Sequence, residues 1–257
     1  MRPVVEALEV SFRIGGTAPV RDASLALGGS QLTVIVGPNG AGKTTLLKIL
    51  AGELRPTQGA VVIDGIPATE IDRLHLARKR AFLADGGAAD IPFPARDVVA
   101  LGRSPHRHEP GGSREHDDRV IQTAMAACGV EYLAERRFVT LSSGERALVS
   151  LARILAQDCP ILLLDEPTAS LDIRHAERAM GILADEARRG RTVAVVIHDL
   201  NAAARHADRC VLMSRGSIVA HGTPIEVLTS HNLTEVYEHP LTVVEDPTKG
   251  GPLVVVG

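Results

Sequence analysis

The residues best suited to chemistry form a glycine-rich run with one lysine at positions 37–45. Positions 37–44 fit the spacing G-x-x-x-x-G-K-[ST], in which glycines permit a tight turn and aim backbone N–H groups at phosphate oxygens. We expect Lys43 to reach the β- and γ-phosphates of a nucleoside triphosphate and the Thr44 hydroxyl to bind Mg²⁺. The alternative is a chance match, for which average residue frequencies give odds of about one in a hundred. The run consists of Gly37, Pro38, Asn39, Gly40, Ala41, Gly42, Lys43, Thr44 and Thr45.

Two carboxylates, Asp165 and Glu166, directly follow four apolar residues. At the end of a buried strand they would lie at the sheet edge where open α/β folds bind their ligands. We expect Asp165 to hold the Mg²⁺ shell through water and Glu166 to polarise the attacking water as general base. An acidic pair at a strand end is by itself equally consistent with an ordinary surface position. Its interpretation therefore depends on the Lys43 loop.

Three further polar elements follow the same pattern of strand ends and helix starts. Ser142, Ser143, Gly144 and Glu145 precede a helical stripe of leucines, which predicts either a simple N-cap or a second clamp for a γ-phosphate. Asp172 follows Glu166 closely in the sequence. His198 ends a later apolar run, beside Glu166 in the expected parallel sheet, where it could contact the γ-phosphate; a satisfied surface histidine is the alternative.

The apolar patterns predict the elements that position these residues. Short buried strands are expected at 32–36, 160–164 and 192–197, with a helix after the first of them at 44–51. Residues 4–12 resemble an edge strand, and hairpins are expected at 210–221 and 241–256. From about residue 74 to residue 157 helical patterns dominate, and 104–116 resembles an exposed loop. We therefore predict one domain over 1–257, with an α/β core at 1–75 and 158–257 and a helical subdomain at 76–157.

Composition limits the classes of function that remain. The formal net charge of −3 argues against nucleic-acid binding through bulk charge. The longest apolar runs are far shorter than the roughly 18 residues that span a bilayer, and no secretory leader is evident at the N-terminus. The three cysteines are widely spaced, which favours buried thiols over a disulfide framework or a zinc site.

The order of these elements resembles the nucleotide-binding subunit of ABC transporters over nearly the whole chain. The resemblance implies a P-loop NTPase fold with a RecA-like core, an antiparallel β subdomain and an inserted helical subdomain. It implies ATP hydrolysis with Mg²⁺ in a head-to-tail dimer, at the cytoplasmic face of the membrane, driving a permease dimer. Each ATP would lie between Lys43, Asp165, Glu166 and His198 of one copy and Ser142 to Gly144 of the other.

Three positions depart from the family pattern or match it loosely. Ser143 stands where the family usually has glycine. Asp85 stands where a glutamine is expected; it can still bind water or Mg²⁺, although with a different geometry beside the γ-phosphate. Phe12 is the nearest candidate to stack on adenine, although Ile14 is an alternative for that position.

A finer resemblance concerns the transported substrate. Asp97 to Arg103 followed by Pro105 and His106 resembles ATPase subunits for iron-siderophore, cobalamin and haem uptake. The tail, residues 235–240 with 251–254, is most similar to the haem (hemin) importer subunit, which implies an indirect partner in a substrate-binding protein. Ferric-siderophore or cobalamin uptake is the alternative. We interpret His106, His108 and His116 as solvated surface residues and not as haem ligands.

Two other functions compete with transport. A soluble ABC ATPase for DNA repair or ribosome work is disfavoured because the sequence shows no coiled-coil insertion, no second cassette and no basic excess. A regulator that binds ATP without turnover is supported only by Asp85 and Ser143. The presence of Lys43, Glu166 and His198 counts against it.

Overall fold

The computed structural model describes residues 3–84, 92–107, 113–169, 171–248 and 250–256. The chain forms two compact units, one of residues 1–71 with 184–257 and the other of residues 72–183. The predicted limits of the helical subdomain, at residues 76 and 157, stay a prediction.

The described chain contains both strands and helices, in mixed order. The strands are β1 Pro3–Ile14, β2 Thr17–Gly28, β3 Gln31–Val36, β4 Gln58–Ile63, β5 Ile66–Pro67, β6 Arg80–Leu83, β7 Ile161–Asp165, β8 Thr192–Val196, β9 Arg209–Ser214, β10 Ser217–Gly222, β11 Leu241–Glu245 and β12 Pro252–Val256. The α-helices are α1 Lys43–Leu50, α2 Arg73–Lys79, α3 Ala95–Ala100, α4 Arg114–Cys128, α5 Ser143–Ala156, α6 Ile173–Arg188, α7 Leu200–His206, α8 Pro224–Val227 and α9 Ser230–Tyr237.

The first unit contains an antiparallel sheet with the strand order β2-β1-β4-β5. Val5, Ala7 and Val10 of β1 are buried. Alternation along the strand explains Val5 and Ala7, and an irregularity in the pairing between Ala7 and Val10 brings Val10 to a buried position. β1 pairs with β2 on one side and β4 on the other. The prediction of an edge strand at 4–12 was therefore wrong, because polar side chains on the outer face do not reveal whether both strand edges are paired.

The first unit also holds the strand that precedes the glycine-rich run. β3 pairs in parallel with β8 on one side and with β9 on the other, and β10 pairs antiparallel to β9. All five residues of β8 are buried, as are the last five of β3. The predicted strands covered on both faces are thus confirmed, as is the predicted hairpin at 210–221.

The C-terminal residues of the first unit form the second predicted hairpin, β11 paired with β12. α9 precedes the hairpin, and its Leu233 and Val236 are buried. The Ser230 hydroxyl oxygen accepts a 2.8 Å hydrogen bond from the Val243 N–H, which ties the helix to the hairpin. Asn201 of α7 is tied to Val254 of β12 by two hydrogen bonds.

In the second unit, β6 and β7 pair in parallel, and α3, α4 and α5 pack against one another. Ile121, Met125 and Cys128 are buried on one face of α4, as the sequence pattern predicts. β6 was not predicted. The predicted loop at 104–116 was partly wrong, because a 3-10 helix covers Leu101–His106 and α4 already begins at Arg114.

The predicted fold class, an α/β core with an antiparallel sheet and a helical insertion, is confirmed. Cys128, Cys159 and Cys210 are buried thiols, and burial raises the pKa of the Cys210 thiol to about 12. Among the described residues, none of the helices is long and apolar enough to cross a membrane.

Candidate nucleotide-binding site

The glycine-rich run joins the end of β3 to the start of α1, which is the strand–loop–helix context that the motif requires. Gly42 is the N-cap of α1 and has φ of 99°, a left-handed conformation that favours glycine. Its carbonyl oxygen accepts the N–H of Leu46 at 2.8 Å, and no side chain caps the helix. The N-terminal end of α1, with its positive dipole, is therefore suited to an anion.

Two glycines of the loop lie against backbone and leave no room for a side chain. A Cβ atom on Gly37 would stand 2.2 Å from the Met213 carbonyl oxygen, and one on Gly42 would stand 2.1 Å from that of Pro19. Gly40, in contrast, has positive φ, but within the described part of the chain no atom beyond its own neighbours lies within 4 Å of the Cβ position. The loop is thus shaped by its contacts with neighbouring backbone at both ends.

The Lys43 side chain is held inside the loop. It is only 5% exposed, and its Nζ donates hydrogen bonds to the carbonyl oxygens of Gly37 at 2.8 Å and Pro38 at 3.0 Å. The ammonium group is therefore fixed beside the backbone that the motif assigns to phosphate binding. Thr44 and Thr45, in the first turn of α1, are half-buried.

His198 lies at the same sheet edge as the start of the loop. β3 and β8 pair in register, with Ile35 opposite Val196, and the Ile197 N–H donates to the Ile35 carbonyl oxygen at 3.3 Å. His198 follows two residues after β8 and is exposed. Asp199 then caps α7, since its carboxylate accepts hydrogen bonds from the N–H groups of Asn201 and Ala202.

In the second unit, Asp165 is the last residue of β7 and is only 1% exposed. The half-buried Glu166 follows it with φ of 51°, in the left-handed region that a non-glycine residue rarely occupies. Such a conformation costs about 1–2 kcal/mol, and residues that retain it cluster at functional sites. The unusual backbone thus falls on the residue that the sequence predicts to be the general base.

Ser142 begins α5 as its N-cap, as predicted. Its hydroxyl oxygen accepts the Glu145 N–H at 3.3 Å, while the Ser142 N–H and hydroxyl both donate to the Glu145 carboxylate at 2.8 Å. This reciprocal pair is a capping box. Hydrogen bonds from the Ser142 backbone and side chain, helped by the charge of Arg136, lower the pKa of the Glu145 carboxyl against the opposing effect of burial.

The structure brings Gly144 and Asp172 together through His175, a residue that the sequence analysis missed. A Cβ atom on Gly144 would stand 2.8 Å from the His175 ring. The ring Nδ1 of His175 lies 2.8 Å from the Asp172 carboxylate, which also accepts the His175 N–H at 2.8 Å. These hydrogen bonds, backbone first, lower the pKa of the Asp172 carboxyl. The three-residue spacing from Asp172 to His175, at the start of a helix, was the signal available in the sequence.

The remaining predicted residues fall in less defined surroundings. Phe12 is half-buried in β1, and Ile14 is 61% exposed at the end of that strand, so both stay candidates for adenine stacking. Asp85 and His108 lie outside the described residues. His116 is exposed in α4, but His106 is half-buried, and its Nε2 lies 2.9 Å from the Gln157 carbonyl oxygen. The interpretation of His106 as a solvated residue was therefore wrong.

The fold and its phosphate loop define a class of protein, the nucleotide-binding cassettes. A family model described as ABC transporter matches residues 20–169, more than half of the chain, and the chain belongs to that family. The hemin import ATP-binding protein HmuV of Nocardia farcinica is 49% identical to it over 247 residues, which cover 95% of this chain and 85% of the relative.

Solved structures agree with this assignment. A metal-chelate type ABC transporter in an inward-facing conformation matches with a TM-score of 0.84 and 26% identity, over 98% of this chain and 96% of that one. A dimeric ATP-binding cassette in a post-hydrolysis state, bound to ADP and Pi, matches with a TM-score of 0.75 and 28% identity, over 86% and 98%.

Proposed function

We propose that this chain is the ATP-hydrolysing subunit of an ABC importer for haem. The observation that carries the proposal is the phosphate loop, in which Gly37 and Gly42 fit only without side chains and Lys43 is buried inside the turn. The order of the motifs along a chain of this family, and the similarity to a structure bound to ADP and Pi, support ATP as the nucleotide.

Each polar residue has a role that its position supports. Lys43 and the N–H groups of the loop neutralise the β- and γ-phosphates, and this charge stabilisation strengthens as negative charge develops on the leaving β-phosphate in the transition state. Glu166 accepts a hydrogen bond from the attacking water and then takes its proton. His198 contacts the γ-phosphate from the end of β8, next to the loop.

The donor set fits Mg²⁺ at the phosphates. The ion prefers hard oxygen ligands, and the Thr44 hydroxyl and the Asp165 carboxylate are groups of that kind. When bound, Mg²⁺ would neutralise part of the negative charge on the phosphate oxygens. The near-complete burial of Asp165 is consistent with this role, because a buried carboxylate needs charged or hydrogen-bonding partners. Asp85 lies outside the described residues, and its contribution to the Mg²⁺ site stays a prediction.

A second copy of the chain completes the site. The residues from Ser142 to Gly144 begin α5, and Ser142 and Ser143 are exposed on this helix start, so they are available to a partner. We infer that they bind the γ-phosphate held by the other copy, in a head-to-tail dimer. Closure on ATP and opening after hydrolysis then move a permease dimer between two states, at the cytoplasmic face of the membrane.

Haem as the cargo rests on the relatives. The chain is 49% identical to a protein named for hemin import and resembles a metal-chelate type transporter in fold. The cargo would be carried by the permease and a substrate-binding protein and would not contact this subunit. A ferric siderophore or cobalamin is the second candidate, because the segment from Asp97 to His106 resembles subunits for all three.

Turnover tests the enzymatic part of the proposal. We expect Glu166→Gln to retain ATP binding but to lower hydrolysis at least about 100-fold, the usual contribution of a general base. Lys43→Ala should weaken ATP binding itself. The matched control is Glu70→Gln, which removes an exposed carboxylate and should leave both quantities unchanged. Unchanged steady-state hydrolysis in Glu166→Gln would exclude Glu166 as the base, and a wild-type chain that binds ATP without turnover would favour the regulator.

Reconstitution tests the cargo. The chain is copurified with its permease and placed in vesicles, and ATP hydrolysis is measured with binding protein loaded with haem, a ferric siderophore or cobalamin. We expect the haem-loaded binding protein to stimulate hydrolysis most strongly, and Lys43→Ala to abolish that stimulation. Stimulation by another cargo alone would replace haem while keeping the transport ATPase.

A further inference from the structure

His175 lies on the inner face of α6, close to the start of that helix. Ala179, Ile182 and Leu183 follow it at the spacing of a single helical face, and all three are buried. The His175 side chain is itself 28% exposed. Packing of the helix therefore fixes the place of the imidazole ring.

The ring stands between the start of α5 and the start of α6. On the α5 side, a Cβ atom on Gly144 would lie 2.8 Å from the ring Cγ and Nδ1 and 3.0 Å from Cε1. Any side chain at Gly144 would therefore have to displace the ring. On the α6 side, the ring Nδ1 lies 2.8 Å from the Asp172 carboxylate. Because an ionised carboxylate only accepts hydrogen bonds, we assign the proton to Nδ1.

Asp172 is held by the same contacts that hold the ring. One of its carboxylate oxygens accepts both the ring Nδ1–H and the His175 backbone N–H, each at 2.8 Å. Its carbonyl oxygen accepts the Ala176 N–H at 2.9 Å, so its backbone is fixed as well. The Asp172 side chain is nevertheless 65% exposed. Ser142 and Ser143, at the start of α5, are also exposed. The ring thus joins, from inside, two segments that are open to a partner outside.

An Asp-x-x-His pair at a helix start is by itself an ordinary cap, and this chain contains a second one. Asp72 accepts the His75 backbone N–H at 3.0 Å at the start of α2, and its other carboxylate oxygen lies 2.6 Å from the His75 Nδ1. Those side chains are 63% and 69% exposed, respectively. His175 differs because its ring is mostly covered and lies against a second helix start at Gly144.

We propose that His175 is a positioning residue for association of two copies, which couples Asp172 to the start of α5 so that the partner meets both as one preformed surface. It touches neither nucleotide nor reacting atoms. Groups that are already ordered lose less conformational freedom when a partner binds, which favours association. The inference rests on the proposed ATP-bound dimer and adds the residue that prepares one half of its interface.

His175→Ala, made in the Glu166→Gln chain, separates this role from nucleotide binding. Binding by a single copy depends on the phosphate loop, which belongs to the other compact unit, so affinity for a fluorescent ATP analogue should not change. The dissociation constant of the dimer at saturating ATP should instead rise about three- to tenfold, the usual scale of one hydrogen bond. Titration of dilute protein and sedimentation over a range of protein concentrations measure the two constants.

His75→Ala is the matched control for this substitution. It removes the equivalent hydrogen bond from the other Asp-x-x-His cap in the same unit and should change neither constant. His175→Asn provides a rescue, because its amide places a donor where Nδ1 stands and preserves the link to Asp172. We expect it to bring the dimer constant to within about twofold of the parent value. A melting curve of each variant without nucleotide checks that the fold is retained.

The outcomes distinguish the role of His175 from the proposed function. A parental dimer constant in His175→Ala, or equal weakening by His75→Ala, would overturn the positioning role. An asparagine variant as weak as His175→Ala would overturn the coupling through Asp172. If the Glu166→Gln chain itself binds no ATP, or forms no dimer at saturating ATP, the proposed ATP-bound dimer is overturned instead.

Discussion

The phosphate loop and the signature segment, residues 141–145, are held in place by different means. Backbone contacts shape the loop, since Gly37 and Gly42 lie too close to carbonyl oxygens to carry a side chain. The signature segment is instead held by side chains, through the Ser142–Glu145 capping box and the His175 ring against Gly144. We therefore expect changes in the loop to remove function abruptly, and changes in the signature segment to act by degrees and to depend on pH.

Gly42→Ala should have the largest effect of the variants in these two regions. The new Cβ atom would stand 2.1 Å from the Pro19 carbonyl oxygen, in a residue with positive φ. Overpacking and backbone strain together predict a loss of about 2–4 kcal/mol in the free energy of unfolding, with no measurable ATP binding. Urea unfolding and nucleotide titration measure the two quantities.

Gly40→Ala is the matched control for this change. Gly40 also has positive φ, but the space around its Cβ position is open. The substitution should cost only the backbone strain, about 1 kcal/mol. Equal losses for Gly40→Ala and Gly42→Ala would contradict the claim that the contacts with neighbouring backbone shape the loop.

Gly144→Ala should have a smaller effect whose sign depends on His175. In the wild-type chain the Cβ atom displaces the ring and breaks its contact with Asp172, which costs about 1 kcal/mol of unfolding free energy. In a His175→Ala background the space is free, and the helix propensity of alanine should stabilise α5 by a few tenths of a kcal/mol. Urea unfolding of the four chains in this cycle gives the coupling energy.

The same cycle can fail in an informative way. Additive effects of the two substitutions would show that the His175 ring does not constrain Gly144. Hydrolysis by each variant adds a second readout, because displacement of the ring alters the segment that is proposed to contact the γ-phosphate. For Gly144→Ala we expect the loss of hydrolysis rate, converted to a free energy, to exceed the loss in the free energy of unfolding.

The sequence predicts the phosphate loop more completely than it predicts the contacts of the signature segment. The loop could be predicted almost fully, because glycine spacing and a lysine determine its local structure, and β3 and β8 are continuous apolar runs. The contact of His175 with Gly144 could not be predicted, since it joins residues that are distant in the sequence. β6 was missed because Arg80–Leu83 is short and lies between helical patterns, and the helical part of 104–116 was hidden by its polar composition.

Glu145→Gln should have the smallest effect, and one that depends on pH. The folded pKa of Glu145 lies below its ordinary value of 4.5, so the carboxylate adds stability above that value. That stability is lost as pH falls through the lowered pKa, and the difference between Glu145→Gln and wild type should shrink with it. At pH 7 we expect a loss of about 0.5 kcal/mol, the low end of the usual cost of a lost cap.

Unfolding measured at pH 7 and at pH 3 checks this prediction. Glu135→Gln is a suitable control, because it removes an exposed carboxylate from the same unit. A difference between Glu145→Gln and wild type that does not change with pH would show that the charge of Glu145 contributes nothing to the start of α5.

Association of two copies tests most directly whether the two regions form one ATP site. Sedimentation of the Glu166→Gln chain is measured without nucleotide, with ADP and with ATP. If the loop of one copy and Ser142 to Gly144 of the other enclose the same nucleotide, the chain should form a stable dimer with two bound ATP only when ATP is present. A chain that remains monomeric at saturating ATP, while binding one nucleotide per copy, would contradict this arrangement.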